Sequence, residues 1–181
     1  MRRRMNPACR RGVAAIELGF VTMFFVVPLI IAIWEVGRYI HVKQIVANSA
    51  REGARLAAQG FTMKPDGTAV QIQRTVGSPN VTDTVYDYLR ASGLTNIQPS
   101  DVTMTFTFTT PRTTDPGSGT TPAEPYQGDK GETFTVYVSI PWNKVRWTTL
   151  GVLQPTDVHY TVTWRMLIDE AFTVNETLPP W

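Results

Sequence analysis

The sequence predicts an α+β protein, in which a long amino-terminal membrane helix leads into a small domain with a short antiparallel sheet of about three strands packed on helices. The stretch 13–34 is almost wholly apolar, and three later segments alternate apolar and polar residues with the period of strands. An amphipathic pattern at 81–92 predicts a second helix. Because a three-stranded sheet needs a covering layer, we expect the helices at 47–59 and 81–92 to pack on it.

The apolar stretch 13–34 is long enough to cross a bilayer as one transmembrane helix, since roughly 20 apolar residues suffice. The residues before it are rich in arginine and contain no acidic side chain: Arg2, Arg3, Arg4, Arg10 and Arg11. Basic residues that flank a span stay cytoplasmic. We therefore expect a single-pass protein of the cytoplasmic (inner) membrane, with residues 1–12 inside and residues 35–181 extracytoplasmic.

The net charge of +2 does not indicate a nucleic-acid partner, because the arginines before position 12 account for more than this excess. Cys9 is the one cysteine, and it precedes the apolar stretch, whereas the acylated cysteine of a lipoprotein would follow one. The exported part can therefore form no disulfide and must be stabilised by packing.

Neither of two ordinary export signals explains all of the amino-terminal pattern of arginines, apolar run and Glu17. A secretory signal peptide has an apolar core of about 7–15 residues, shorter than the run observed here. A plain signal anchor accounts for the arginines and the apolar helix, but it does not require Glu17, the only charge within the run. A charged residue at the centre of a span costs roughly 2.5–3.5 kcal/mol, and less near the interface, so Glu17 suggests a partner.

Residues 10–17 read RRGVAAIE and resemble the prepilin peptidase site, in which a basic leader ends in glycine and glutamate is the fifth residue after the cut. The resemblance implies processing between Gly12 and Val13. Glycine has no side chain to obstruct an extended cleavage segment, and scission would leave a largely protonated amine on Val13. Glu17 lies about one helical turn from that amine. In the pilin pattern this glutamate acts in assembly, pairing with the new amino terminus of a neighbouring subunit.

Beyond the span, residues 48–58 read NSAREGARLAA. Together with residues 10–17, this segment resembles the TadE family of pseudopilins from tight-adherence (Flp-type) pilus systems, closely over residues 10–60 and loosely beyond them. The resemblance implies a minor pilin of a type IV pilus or related secretion machine, processed by prepilin peptidase and acting in pilus assembly and cell adhesion. The implied partners are the peptidase, other pilins or pseudopilins, the pilus assembly platform and membrane lipid.

The same resemblance divides the chain into a cleaved leader (1–12), a transmembrane helix (13–34), an extracytoplasmic continuation of the helix (35–60) and a soluble pilin-like domain (61–181). The alternative is an extracytoplasmic adhesion module tethered by an uncleaved signal anchor. Recovery of the mature amino terminus discriminates between them: Val13 supports the pilin, and an intact Met1 supports the tether.

The continuation of the helix carries small residues at helical spacing, namely Ala47, Ala50, Gly53, Ala54 and Ala57. Such a stripe allows close approach of another element, either the chain's own domain or another subunit.

The charged side chains of this segment are predicted to be exposed. Glu35 with Arg38 and Glu52 with Arg55 have the i,i+3 spacing of surface pairs. Arg51 and Arg55 are the candidate subunit contacts.

Gly60 and the KPDG turn at 64–67 are predicted to end the long helix. The helix at 81–92 has Thr82 or Asp83 as its expected N-cap and Gly93 as its stop. The apolar faces of the three strands are Val102, Met104, Phe106 and Phe108; Phe134, Val136, Val138 and Ile140; and Val158, Tyr160, Val162, Trp164 and Met166.

The connection 110–131 is rich in Pro, Gly, Thr and Ser and is too long for an ordinary hairpin. We predict a flexible loop. Its alternative is a binding loop that would use Glu124, Tyr126 and Asp129.

No catalytic, cofactor or metal site is predicted. His41 and His159 are the only histidines, and the sequence lacks HExxH, a cysteine pair, a phosphate-binding glycine loop and a nucleophile elbow. Asp83 and Asp87 share a helix face, as an acid/base pair would, but solvated acids on an amphipathic helix are far commoner. We expect a substrate of the prepilin peptidase rather than an enzyme.

Overall fold

The computed structural model describes residues 7–65, 67–109, 124–147 and 155–167, with side chains described from residue 12 onward. Helix α1 (Pro7–Val21) continues through a π-helical turn (Thr22–Val26) into α2 (Val27–Gln59) without interruption. The stretch Gly12–Gln59, 48 residues, is long and apolar enough to cross a membrane. An α+β protein with a long amino-terminal apolar helix is therefore confirmed.

Pro28 is accommodated within this helix by the π-helical turn just before it. Proline lacks the N–H that an α-helix uses, and its ring crowds the preceding turn. Within the turn, the N–H of Val27 donates to the carbonyl of Thr22, five residues back. This wider turn absorbs the proline, and α2 continues beyond it.

Gly60 ends the long helix with φ at +65°, and its N–H donates to the carbonyl of Ala57. The chain then forms a hairpin of β1 (Phe61–Met63) and β2 (Ala69–Gln71) around the predicted turn. Gly67 has a φ of +82° and donates its N–H to the carbonyl of Lys64 at 2.9 Å. The turn is as predicted, whereas its two short strands were not.

Helix α3 (Val81–Ala91) confirms the amphipathic pattern, with Val81, Val85 and Leu89 buried, and Gly93 follows its end at φ +96°. The expected N-cap at Thr82 or Asp83 is wrong. The cap is Asn80, whose side-chain oxygen accepts from the N–H of Asp83 at 2.7 Å. Because Val81 is already helical and buried, the capping side chain has to stand one residue before it.

The main sheet has three antiparallel strands in the order β3 (Thr103–Phe108), β4 (Thr133–Pro141), β5 (Asp157–Arg165). The prediction of three strands is confirmed. On the central strand the predicted face is wholly buried: Phe134, Val136, Val138 and Ile140. On β5 burial is less complete, and Trp164 remains 37% exposed.

Helix α2 lies against β4 and β5, and α3 packs on α2. The small-residue stripe makes this second contact possible, since Ala50, Ala54 and Ala57 are fully buried and Gly53 stands against Val81 and Val85 of α3. The element that the stripe approaches is thus the chain's own domain. Past β5, the N–H of Leu167 donates to the carbonyl of Ala58 at 2.7 Å and holds the sheet to the end of the helix.

Only residues 124–131 of the predicted flexible loop 110–131 are described, and residues 110–123 lie outside the described part of the chain. The described portion contains a 3-10 turn (Pro125–Gln127) and contacts the domain. Glu124 accepts from the backbone N–H of Arg74 at 2.7 Å and from its Nε at 3.1 Å. Tyr126 lies edge-on to Phe61 with ring centroids 6.5 Å apart.

Candidate assembly interface

Gly12 and Val13 lie within α1, so the peptide bond predicted to be cut is helical in this structure. A methyl group built on Gly12 would meet nothing within 4 Å. The fold therefore supplies no packing reason for glycine at this position. A protease that acts on extended substrate would need to open the helix locally.

Glu17 stands on the same helix, surrounded by exposed apolar side chains such as Ile16 and Phe20. Among the residues with described side chains, none forms a hydrogen bond or ion pair with Glu17. Ile16, Gly19, Phe20 and Met23 line a shallow apolar groove nearby. An isolated carboxylate on an apolar surface needs a partner outside the described chain once that surface leaves water.

The charged residues of the AREGAR segment lie on the side of α2 away from the buried stripe. Arg55 binds Glu52 at 2.9 Å, as the i,i+3 spacing predicts, and its side chain is 67% exposed. Arg51 donates to Asn48 at 3.0 Å and to the hydroxyl of Tyr160 at 3.4 Å. Both arginines are exposed, and Arg51 additionally connects the helix to β5.

The prediction that Glu35 belongs to an exposed pair is wrong, because Glu35 is only 5% exposed. It lines a cavity of about 10 Å³ with Trp34, Arg38, Trp142 and Trp147. This volume holds about one water molecule at most. The indole N–H of Trp142 is also buried, and it has no hydrogen-bond partner among the described residues.

Arg38 connects the long helix to the short helix α4 (Trp142–Val145) that follows β4. Its Nε donates to the carbonyl of Val145 at 3.2 Å, and its guanidinium lies 4.7 Å from the ring centroid of Trp147. Burial lowers the pKa of the Arg38 guanidinium from its ordinary value. Trp34 meets Trp147 edge-on at 6.2 Å. Sequence reasoning missed this cluster, although a tryptophan closing an apolar run is a signal for a membrane boundary.

His159 lies with Asp157 and Ser139 on strands β4 and β5. Ser139 Oγ donates to Asp157 Oδ2 at 2.8 Å, and His159 Nδ1 lies 3.1 Å from the same oxygen. The bond from Ser139, followed by His159, lowers the pKa of the Asp157 carboxyl. In a catalytic triad the serine bonds to the histidine, whereas here both contact the aspartate. The arrangement does not activate a serine nucleophile.

Among the described residues, the acidic side chains of α3 and the side chains of types that bind metal form no further site. Asp83 accepts from Asn80 Nδ2 at 2.7 Å, and Asp87 is exposed on the same helix. Within residues 7–65, 67–109, 124–147 and 155–167, no group of three His, Cys, Asp or Glu side chains is placed to hold a metal ion.

Residues 12–55 match the family model described as TadE-like protein. No curated protein and no solved structure matches the chain. The matched segment begins at Gly12 and ends at Arg55, so it contains the exposed apolar helix, Glu17 and the AREGAR arginines. The resemblance stated on these motifs is thereby confirmed for this segment. It indicates a protein of the pseudopilin type associated with a tight-adherence pilus, and the apolar helix fits a single-pass membrane protein.

Proposed function

We propose that this protein is a minor pilin or pseudopilin of a tight-adherence (Flp-type) pilus or a related secretion machine, cut by prepilin peptidase between Gly12 and Val13. Its role is in pilus assembly and adhesion. The observation that carries the proposal is the position of Glu17 on an exposed apolar helix inside the TadE-like segment, without an ionic partner among the residues whose side chains are described. A structural subunit of this kind is a substrate of the peptidase and has no catalytic residues of its own.

The partner proposed for Glu17 is the free amine of Val13 on a neighbouring subunit. Removal of the leader creates this amine in the same apolar layer, about one helical turn from Glu17 of its own chain. Opposite charges attract far more strongly there than in water, although desolvation offsets part of the gain. The pairing neutralises two charges that would otherwise be buried separately when subunits meet.

The long helix supplies the surface over which subunits would join. Its amino-terminal part exposes large apolar side chains, including Val13, Phe24 and Phe25, because nothing in the described chain covers them. Membrane lipid covers this surface before assembly, and helices of other pilins or the assembly platform cover it afterwards. Arg51 and Arg55 lie beyond it as proposed contacts to a neighbouring subunit, supported by their exposure.

The proposed topology places residues 1–12 in the cytoplasm, residues 13–34 in the inner membrane and residues 35–181 outside it. Arginine lies on the amino-terminal side of the span without acidic neighbours, which favours this orientation. The proposed end of the membrane span at residue 34 is supported by burial, since Glu35 is the first residue of α2 to be buried.

Mass spectrometry of the amino-terminal peptide, from protein isolated from its native host, tests the proposal. The expected product begins at Val13 with a free amine. A terminus that retains Gly12 and the arginines before it would overturn the pilin reading. That outcome would favour the tethered adhesion module.

A further inference from the structure

We propose that the membrane-proximal end of the soluble domain is a lipid-binding surface that rests on the headgroups of the bilayer. This base patch consists of Trp34, Gly37, Arg38, His41 and Trp147, which line an open groove of about 300 Å³. In it the Trp147 indole enters the interface and the Arg38 guanidinium binds lipid phosphate. The inference depends on the membrane span and is independent of a role in a pilus.

The position of the patch follows from Trp34, which closes the apolar run. Trp147 lies edge-on to Trp34 with ring centroids 6.2 Å apart. Arg38 and His41 follow along the same helix, about 6 and 10 Å farther at a rise of 1.5 Å per residue. A tryptophan from the sheet domain is thus held at the level where the span ends.

Trp147 is exposed to solvent, whereas the nearby Trp142 of α4 is buried. Trp142 is 2% exposed and lies against Tyr39 in the core, whereas Trp147 is 66% and Trp34 is 61% exposed. Two adjacent exposed indoles are unfavourable in water but suit the bilayer interface, where tryptophan places its ring among the headgroups. Their exposure is therefore explained by the membrane that the span requires.

The charge around the groove suits a phosphodiester. Arg38 is stacked on Trp147, and its bond to Val145 uses Nε, one of several guanidinium donors. Lys144 lies in α4, and Arg146 directly follows that helix. Among the described acids, Glu35 is buried and Asp101 binds Lys144 at 3.3 Å. Guanidinium groups bind phosphate oxygens with geometric specificity, so Arg38 is the residue expected to hold the headgroup.

Lipid is the occupant favoured over a second copy of the chain because the patch is continuous with the membrane span. Any bilayer that covers residues 13–34 brings its headgroups to Trp34, and hence to Trp147 6.2 Å away. A neighbouring subunit would reach the groove only after displacing those lipids.

Quenching of tryptophan fluorescence by brominated lipid tests the proposal. The full chain is reconstituted in phosphatidylcholine bilayers with bromine placed high on the acyl chain, and Trp147→Phe, Trp34→Phe and Trp164→Phe are compared with the wild type. We expect Trp34→Phe and Trp147→Phe each to lose part of the quenching, and Trp164→Phe, on β5, to lose none. Unchanged quenching in Trp147→Phe would overturn the proposal. If Trp34→Phe also lost none, the span itself would be wrong and the inference would fall with it.

A second measurement separates lipid from protein as the occupant and tests Arg38. Quenching of Trp147 should be independent of the protein-to-lipid ratio, and a fall as the protein becomes crowded would show a second copy in the groove and overturn the proposal. Arg38→Gln should reduce the Trp147 contribution, while Lys43→Gln, an exposed change on the same helix, should not. If Trp147 contributed equally to quenching in Arg38→Gln and Lys43→Gln, the proposed contact between Arg38 and lipid phosphate would be wrong. Circular dichroism and thermal unfolding establish that each variant is folded.

Discussion

Gly53 of the long helix stands so close to Val85 of α3 that a methyl group on Gly53 would lie 2.5 Å from Val85 Cγ2. Val81 Cγ1 would be 3.3 Å from the same methyl group. The backbone of α2 therefore contacts the buried face of α3 directly. The glycine of the AREGAR segment is explained by packing within the subunit.

Gly53→Ala should lower the free energy of unfolding by up to about 2 kcal/mol. Overpacking of this kind costs roughly 1–3 kcal/mol, and the better helix propensity of alanine returns up to about 1 kcal/mol. Thermal unfolding of the full chain in detergent measures the change.

Gly37→Ala is the matched control, because a methyl group there meets nothing within 4 Å. It should leave stability unchanged or raise it. The double variant Gly53→Ala/Val85→Ala should be less destabilised than the sum of its single changes, since removing Val85 Cγ2 relieves the contact. Additive effects would show that Gly53 and Val85 do not contact each other.

Asn80→Ala should lower stability by roughly 0.5–2 kcal/mol, because it removes the cap of α3. Asn80 is buried, accepts from the Asp83 N–H and donates to the carbonyl of Gly77 at 2.8 Å. Asn80→Ser keeps an acceptor for Asp83 and should recover part of the loss in the same unfolding measurement. Equal losses in the two variants would place the contribution of Asn80 outside its capping bond.

The parts of the fold that the sequence predicts are those encoded locally. The β4 pattern reaches from Phe134 to Ile140 and identifies both the strand and its buried face. The β1–β2 hairpin was not predicted because three-residue strands are too short to show the alternation of apolar and polar residues. The α3 cap was misplaced because Asn80 lies outside the apolar repeat that marks the helix.

The burial of Glu35 could not be predicted from the sequence of its own helix. Its spacing from Arg38 is typical of an exposed pair, and burial is imposed by α4, whose Val145 is 107 residues from Arg38 in sequence. Gly12, Val13 and Glu17 were identified by the resemblance of residues 10–17 to the prepilin peptidase site. Their isolation on an exposed helix became visible only with the structure, because it depends on what the domain leaves uncovered.

Gly12→Leu should leave the leader attached, because the bulkier side chain obstructs the peptidase. Cys9 reports the outcome, since it is the only cysteine and lies in the leader. Maleimide should label the denatured Gly12→Leu protein and leave the mature wild type unlabelled.

Gly19→Leu controls for bulk elsewhere in the helix, as a methyl group at Gly19 also meets nothing within 4 Å. It should mature normally. Normal maturation of Gly12→Leu would count against prepilin peptidase processing. Cys9→Ser should leave assembly unchanged, and a loss of pilus function would contradict the removal of Cys9 with the leader.

Protease added to spheroplasts should remove the soluble domain, because residues 35–181 are proposed to be extracytoplasmic. Immunoblotting against the carboxyl-terminal half measures the loss, and a cytoplasmic marker protein confirms that the membrane stayed intact. Full protection of the domain would reverse the orientation.

Glu17→Gln should be inserted, exported and folded but should recover its partner pilins poorly. The substitution removes the charge and nearly keeps the shape. Glu17 contacts none of the described domain, so the core of the sheet should be unaffected. Without the carboxylate, the Val13 amine of a neighbouring subunit would enter an apolar layer unpaired, at a cost of several kcal/mol if it remained charged.

Co-purification of the other pilins from detergent extracts at equal expression is the measurement. Asp87→Asn, a change of an exposed carboxylate on α3, is the control and should recover partners as the wild type does. The amino terminus of the Glu17→Gln protein has to be determined in parallel, because an uncut leader would by itself block assembly. A processed variant that recovers its partners and supports normal piliation would remove the intersubunit charge pair from the mechanism. Glu17 would then be at most a determinant of processing.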